Sequence, residues 1–183
     1  RENGGAGGSG VVVVKYDKEQ AVLTNVTATG TTGGTITYSG EYAIHTFTSS
    51  GTFTAGADME IDYLVVAGGA GGGGNHAGGG GAGGVLFGSN VSVTNTSTYA
   101  VTVGAGGNGA SPGPASRGAN GENSSIASLP SPAVAFGGGG GGNPFLGGPN
   151  AFSGAGSSFN MGLLGFAKGG RPPIGRASIV GER

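Results

Sequence analysis

The chain has no cysteine and no tryptophan, and only 9% of its 183 residues are charged. Without cysteine there is neither a disulfide framework nor a thiolate metal site. The formal net charge is −1, and the 8 Lys and Arg form no cluster. Nothing therefore displaces counterions from phosphates, which argues against nucleic acid as a partner. No apolar run approaches the ~20 residues that a membrane-spanning helix needs. Helix signals are also missing: no stretch sustains a 3.6-residue period, and Ala, Leu, Glu and Lys never gather. The first residue is Arg1, with no charged and then apolar leader behind it. This is the pattern of a processed start or of a piece of a longer chain.

What the chain has instead is glycine, 47 residues of 183, beside only 8 prolines. Glycine near one residue in four ordinarily marks a flexible segment. Disordered chains, however, are rich in charge and poor in β-branched residues, and this one is the reverse. Runs of Val, Ile, Thr, Tyr and Phe occur at 11–16, 35–38, 42–48, 51–54, 59–67, 85–87, 91–93, 98–103, 134–136 and 178–180. Gly, Asn and Ser separate them, so they predict short strands in an all-β arrangement. Ser39, Gly40 and Glu41 form a hairpin-like break. Beyond it Tyr42, Ile44 and Thr46 share one face and Ala43, His45 and Phe47 the other.

The glycine tracts lie at 4–10, 68–84, 104–109 and 137–148, the last interrupted at 143–146. An extended run with three residues per turn puts every third residue of 68–84 on one face. Gly68, Gly71, Gly74, Ala77, Gly80 and Gly83 form one face, and Gly69, Gly72, Asn75, Gly78, Gly81 and Gly84 a second. Ala70, Gly73, His76, Gly79 and Ala82 form the third. Such a helix has no internal hydrogen bonds, so buried amides need partners on neighbouring tracts. Bare faces let backbones come close enough to provide them. The competing reading is a flexible linker, because glycine loses more entropy on ordering than any other residue. The expected fold is all-β, with short strands framing a bundle of polyglycine II helices and essentially no α-helix. Residues 1–20 read as a Gly-rich leader and exchangeable strand, 21–67 as a strand region and 68–183 as a glycine-rich region continuous with it.

The order of segments carries a resemblance. Tyr42-Ala-Ile-His-Thr-Phe-Thr-Ser-Ser-Gly-Thr-Phe-Thr54 precedes Tyr63-Leu-Val-Val-Ala-Gly-Gly69. Then come Gly79-Gly-Gly-Ala-Gly-Gly84, Tyr99-Ala-Val-Thr-Val-Gly-Ala-Gly-Gly107 and Ala135-Phe-Gly-Gly-Gly139. Over residues 30–142 this resembles the glycine-rich domains of phage tail-fibre and adhesin proteins and of microbial surface proteins. The resemblance implies a polyglycine II sandwich clamped by strands, serving as a rigid tip or shaft. Residues 124–132 and the tail from Asn143 fit it less well and read as recognition loops or contacts between subunits. In proteins of this type Gly-Gly-Ser-Gly followed by a Val/Ile run closes a unit, whereas here it opens the chain. The strand Val11, Val12, Val13, Val14 is thus expected to complete a neighbouring copy by strand addition, in a head-to-tail contact that propagates into a filament. An ordinary intramolecular strand is the alternative.

Catalytic signals are weak. Residues 104–109 match the dinucleotide-binding glycine pattern, but Ser111-Pro112-Gly113-Pro114 cannot open the helix that it requires. Asp58, Glu60 and Asp62 share one strand face and would supply only part of a calcium shell, so a solvated face is the expected reading. The histidines are His45 and His76; neither lies near a nucleophile motif, and His45 reads as a packed strand residue. Asn25, Asn90, Asn95 and Asn123 head glycosylation sequons, which arise readily in a chain of this composition. Phe145, Phe152, Phe159 and Phe166 recur every seven residues among glycines. They read as a subunit interface or receptor-contact surface, or as a cap on the apolar side of the bundle.

The expectation is therefore a non-enzymatic structural subunit, without cofactor, of an extracellular filament or fibre. Its partners are copies of itself, in a homo-oligomer or filament. The alternative is a virion tail-fibre adhesin that binds a cell-surface receptor through its loops.

Overall fold

The computed structural model describes residues 2–19, 30–75, 77–112, 116–131 and 133–142. Among these are nine strands: β1 Val11–Asp17, β2 Thr35–Ser39, β3 Tyr42–Phe47, β4 Gly51–Thr54, β5 Met59–Val66, β6 Val85–Val93, β7 Thr98–Thr102, β8 Ser124–Ile126 and β9 Ala133–Ala135. They form two antiparallel sheets, ordered β2-β3-β1-β5-β6 and β4-β7-β8-β9. No helix occurs among the described residues, as the missing 3.6-residue period implies.

Alternation decides which face turns inward. Along β1, Val12, Val14 and Tyr16 are buried while Val11, Val13 and Lys15 are half-exposed. On β3, Ala43, His45 and Phe47 share one face, as alternation predicts, and that face points inward. Val12, Val14, Phe53, Ile61, Val65, Tyr99, Val101 and Ile126 meet in one core between the sheets. Gly40, at φ 56°, begins a two-residue turn that pairs Ser39 with Tyr42. Glycine suits this position, which a side chain strains.

Three expectations are corrected. The runs 85–87 and 91–93 belong to one strand, β6, interrupted by an irregularity opposite Asp62, where the register jumps from Ile61–Val91 to Tyr63–Gly88. Asn90 stands there at φ 53°, a left-handed conformation that asparagine tolerates better than most residues. Residues 124–126, expected in a loop, form β8, with Ser124 and Ile126 buried. The run 68–84 is not one extended helix but folds back through a bend at Gly74 and Asn75, where Asn75 has φ 56°. Its arms 67–73 and 78–84 then run antiparallel, bonded Ala67 to Gly84, Ala70 to Gly81 and Gly73 to Gly78.

Candidate functional site

The glycine tracts prolong the strands. Tract 2–10 leads into β1, 67–75 leaves β5 and 78–84 enters β6. From the other sheet, 104–110 follows β7, 116–122 leads to β8 and 136–142 follows β9. Side chains normally hold packed sheets about 10 Å apart. Where they run out, the two layers close until their backbones hydrogen-bond directly.

The bonding repeats every third residue. In tract 67–75 the N–H groups of Gly68, Gly71 and Gly74 donate to Glu122, Ala119 and Ser116 at 2.9, 2.9 and 3.2 Å. Those of Gly69, Gly72 and Asn75 donate to Gly8, Gly5 and Glu2 at 2.9, 2.9 and 3.3 Å. Those of Ala67, Ala70 and Gly73 donate to arm 78–84. Successive residues thus face three different neighbours. The carbonyls of the same tract accept from Gly107 and Ala110, and from Gly138 and Gly141. Tract 67–75 is the hub on which the other tracts converge, and its buried amides have partners without any side chain.

Close approach makes particular glycines obligatory. A Cβ on Gly7 would be driven into the carbonyl of Gly69 and lie 2.7 Å from that of Ala70, whereas a Cβ on the adjacent Gly8 meets nothing within 4 Å. Ser124, fully buried, ties the bundle to the sandwich: its Oγ accepts the Gly104 N–H at 2.9 Å.

Val11, Val12, Val13 and Val14 lie at the middle of the larger sheet. β1 pairs antiparallel with β3 on one side, Val14 opposite His45, and with β5 on the other, Val13 opposite Leu64. The chain's own sheet therefore houses the strand expected to serve a neighbouring copy. Val12 and Val14 are core residues at 0% exposure, while Val11 and Val13 lie on the outer face. Across that face lie Leu64 and Val66, then Phe87 and Val85, which are 64% and 63% exposed. Val134 and Phe136 are further exposed hydrophobics at the edge strand β9. Phe145, Phe152, Phe159, Phe166 and His76 lie outside the described residues, as does Asn25.

The other half of the outer face is polar. The Lys15 ammonium lies 3.0 Å from Asp62 and 4.6 Å from the centroid of the Tyr42 ring. The hydrogen bond from Lys15 holds the Asp62 carboxyl below its ordinary range, and the Asn90 N–H adds to this while desolvation opposes it. The same bond to Asp62 raises Lys15. Asp58 accepts the Asn95 N–H at 2.7 Å. Two of the three carboxylates considered for calcium are thus engaged elsewhere. Among the described residues no group of three His, Cys, Asp or Glu is placed to hold a metal. Residues 104–109 form one of the bundle's tracts, bonded to Gly10, Gly7 and Glu122, and no helix follows them among the described residues.

Pairing partners are what sequence reasoning missed: the central position of β1, and the packing of His45 against Gly33 and Phe53. Asn75 and Asn90 carried a usable signal, since asparagine outside a helix marks left-handed backbone.

The glycine-rich domain family matches residues 45–178, a span that starts within β3. No curated protein and no solved structure gives a match. The order of strands and glycine tracts and this match over most of its length agree: the chain belongs to the glycine-rich domain family.

Proposed function

We propose that this chain is a non-enzymatic structural subunit of an extracellular filament or fibre, rigidified by a bundle of polyglycine II helices. The observation that carries this reading is the hydrogen bonding of tract 67–75 to its neighbours at every third residue. Three residues per turn is the polyglycine and polyproline II period, and lateral bonding turns a flexible composition into a stiff rod. Self-association is supported by the near-neutral charge and by the apolar outer face around Val13, Leu64 and Phe87, since little repulsion opposes contact between copies.

Exchange of segment 2–17 is the proposed mode of assembly. β1 joins β3 to β5, which have no other pairing with each other, and the same bonds form equally well when a second copy supplies the strand. Because the chain has no cysteine, Lys15→Cys with Asp62→Cys reports on this directly. Exchange yields a disulfide-linked ladder in oxidised filaments, while a strand held within its own chain yields monomers only.

Electron microscopy of the purified native material tests the function itself. Regular filaments with one subunit per short axial step are expected. Discrete particles, or fibres carrying this chain only at their tips, contradict the filament reading and favour an adhesin that binds a cell-surface receptor.

A further inference from the structure

Among the described residues one titratable side chain is enclosed completely. His45 on β3 has 0% exposure, and its Nδ1 lies 2.7 Å from the carbonyl oxygen of Gly33. A carbonyl only accepts, so Nδ1 carries the proton and Nε2 presents a lone pair. That Nε2 is buried and has no hydrogen-bond partner among the described residues. The ring stands in an aromatic column: Tyr16 of β1 at 5.6 Å, then His45, then Phe53 of β4 edge-on at 5.2 Å, and Tyr99 of β7 beyond it at 6.2 Å. The column crosses from the larger sheet to the smaller one and includes the inward face of β1.

We propose that His45 is an acid-sensitive latch, neutral when the chain is folded, whose protonation loosens both the seat of β1 and the contact between the sheets. A second proton would have to sit on Nε2, where the N–H⁺ finds no acceptor among the described residues, and a buried unpaired charge is among the costliest features a core can hold. Among the described residues no carboxylate is placed to compensate. Facing His45, β1 presents Tyr16 and β2 carries Tyr38 on the same side of the sheet, and neither side chain is a carboxylate. β4 carries no titratable residue, and from β7 only Tyr99 stands behind Phe53. Lys15, Asp17, Glu60 and Asp62 alternate onto the opposite side.

The sign follows from the same geometry. Desolvation lowers the His45 pKa from its ordinary 6.5, and the Gly33 carbonyl offsets this only in part. The unfolded chain therefore binds the extra proton first. The stability that neutral His45 contributes is complete above about pH 6.5 and is lost as the pH falls through and below it. The window lies in the range where histidine, not an ordinary carboxylate, changes charge, and the His76 variant separates the two histidines.

The test is unfolding of the purified full chain between pH 7.5 and 4.5, comparing wild type with His45→Phe and His76→Gln. Wild type and His76→Gln should lose about tenfold in the folded-to-unfolded ratio per pH unit below 6.5, and His45→Phe should be flat over that window. A wild type without the slope, or a His45→Phe variant that keeps it, overturns the proposal. Should the variant not fold, NMR titration of the His45 ring in the wild type decides. Protonation below pH 6.5, or only with unfolding, is expected, and a midpoint at or above 6.5 overturns it. The inference goes beyond the filament reading, and neither readout depends on assembly, so each can fail without the other.

Discussion

The two ends of this molecule are closed by opposite means. In the sandwich, side chains such as Phe53, Ile61 and Val65 fill the space between sheets, and backbone bonds stay within each sheet. In the glycine bundle the same strands continue without side chains, and backbone bonds run both within and between layers. The sandwich is specified by volume and alternation, with a period of two. The bundle is specified by the absence of volume at every third position. A core of side chains can redistribute a small change in shape, because neighbouring rotamers adjust. A core of backbones cannot, because what a new methyl group meets is a carbonyl fixed by its own hydrogen bonds.

That contrast is breakable by mutation. The largest effect is expected from Phe53→Ala, which empties the centre of the sandwich and should cost about 3–5 kcal/mol in denaturant unfolding. Gly7→Ala should cost about 1–3 kcal/mol, because the methyl displaces the Gly69 carbonyl. Gly8→Ala, one residue along and open to solvent, should stay within about 0.5 kcal/mol of wild type. Equal effects at the two positions would mean that the tract is not held in this register. Ser124→Ala leaves the Gly104 N–H unsatisfied at the junction of the two regions and should cost about 1–2 kcal/mol.

Smaller effects belong to the outer face. Asp62→Asn should shift Tm by less than about 2 °C at neutral pH, since its ion pair with Lys15 is partly exposed. Its lowered carboxyl pKa gives a contribution that is complete above the ordinary value of 3.8 and lost as the pH falls below it. The variant should therefore show a shallower acid limb than wild type. Val13→Ser should change stability least of all and instead reduce association, read by sedimentation, if the apolar outer face packs against another copy.

Much of the sandwich was legible because its signals are local. Alternation along 42–48 placed Ala43, His45 and Phe47 on one shared face, which proves to be the inner one, and β-branched runs marked all the strands except β8, with β6 read as two pieces. Residues 124–126 escaped because Ser-Ser-Ile has no strand pattern; Ser124 is buried by its bond to Gly104, a partner distant in sequence. β1 could be recognised as a strand but not placed between β3 and β5, since a run of four valines pairs with any open edge. In the tracts the period of three could be written down from composition. The fold-back was not drawn from it, although the left-handed preference of Asn75 marked where the run bends into two arms. The bundle's hub followed from that turn.

Hydrogen exchange of the amides in tract 67–75 tests the central claim most directly. If these glycines form a bonded core, Gly69, Gly71 and Gly72 will exchange as slowly as Val12 and Val65 in the sandwich, and Gly8→Ala will leave them protected. Exchange at the rate of an unstructured glycine linker, with Val12 and Val65 still protected, would contradict the account. The sandwich alone would then be the folded unit.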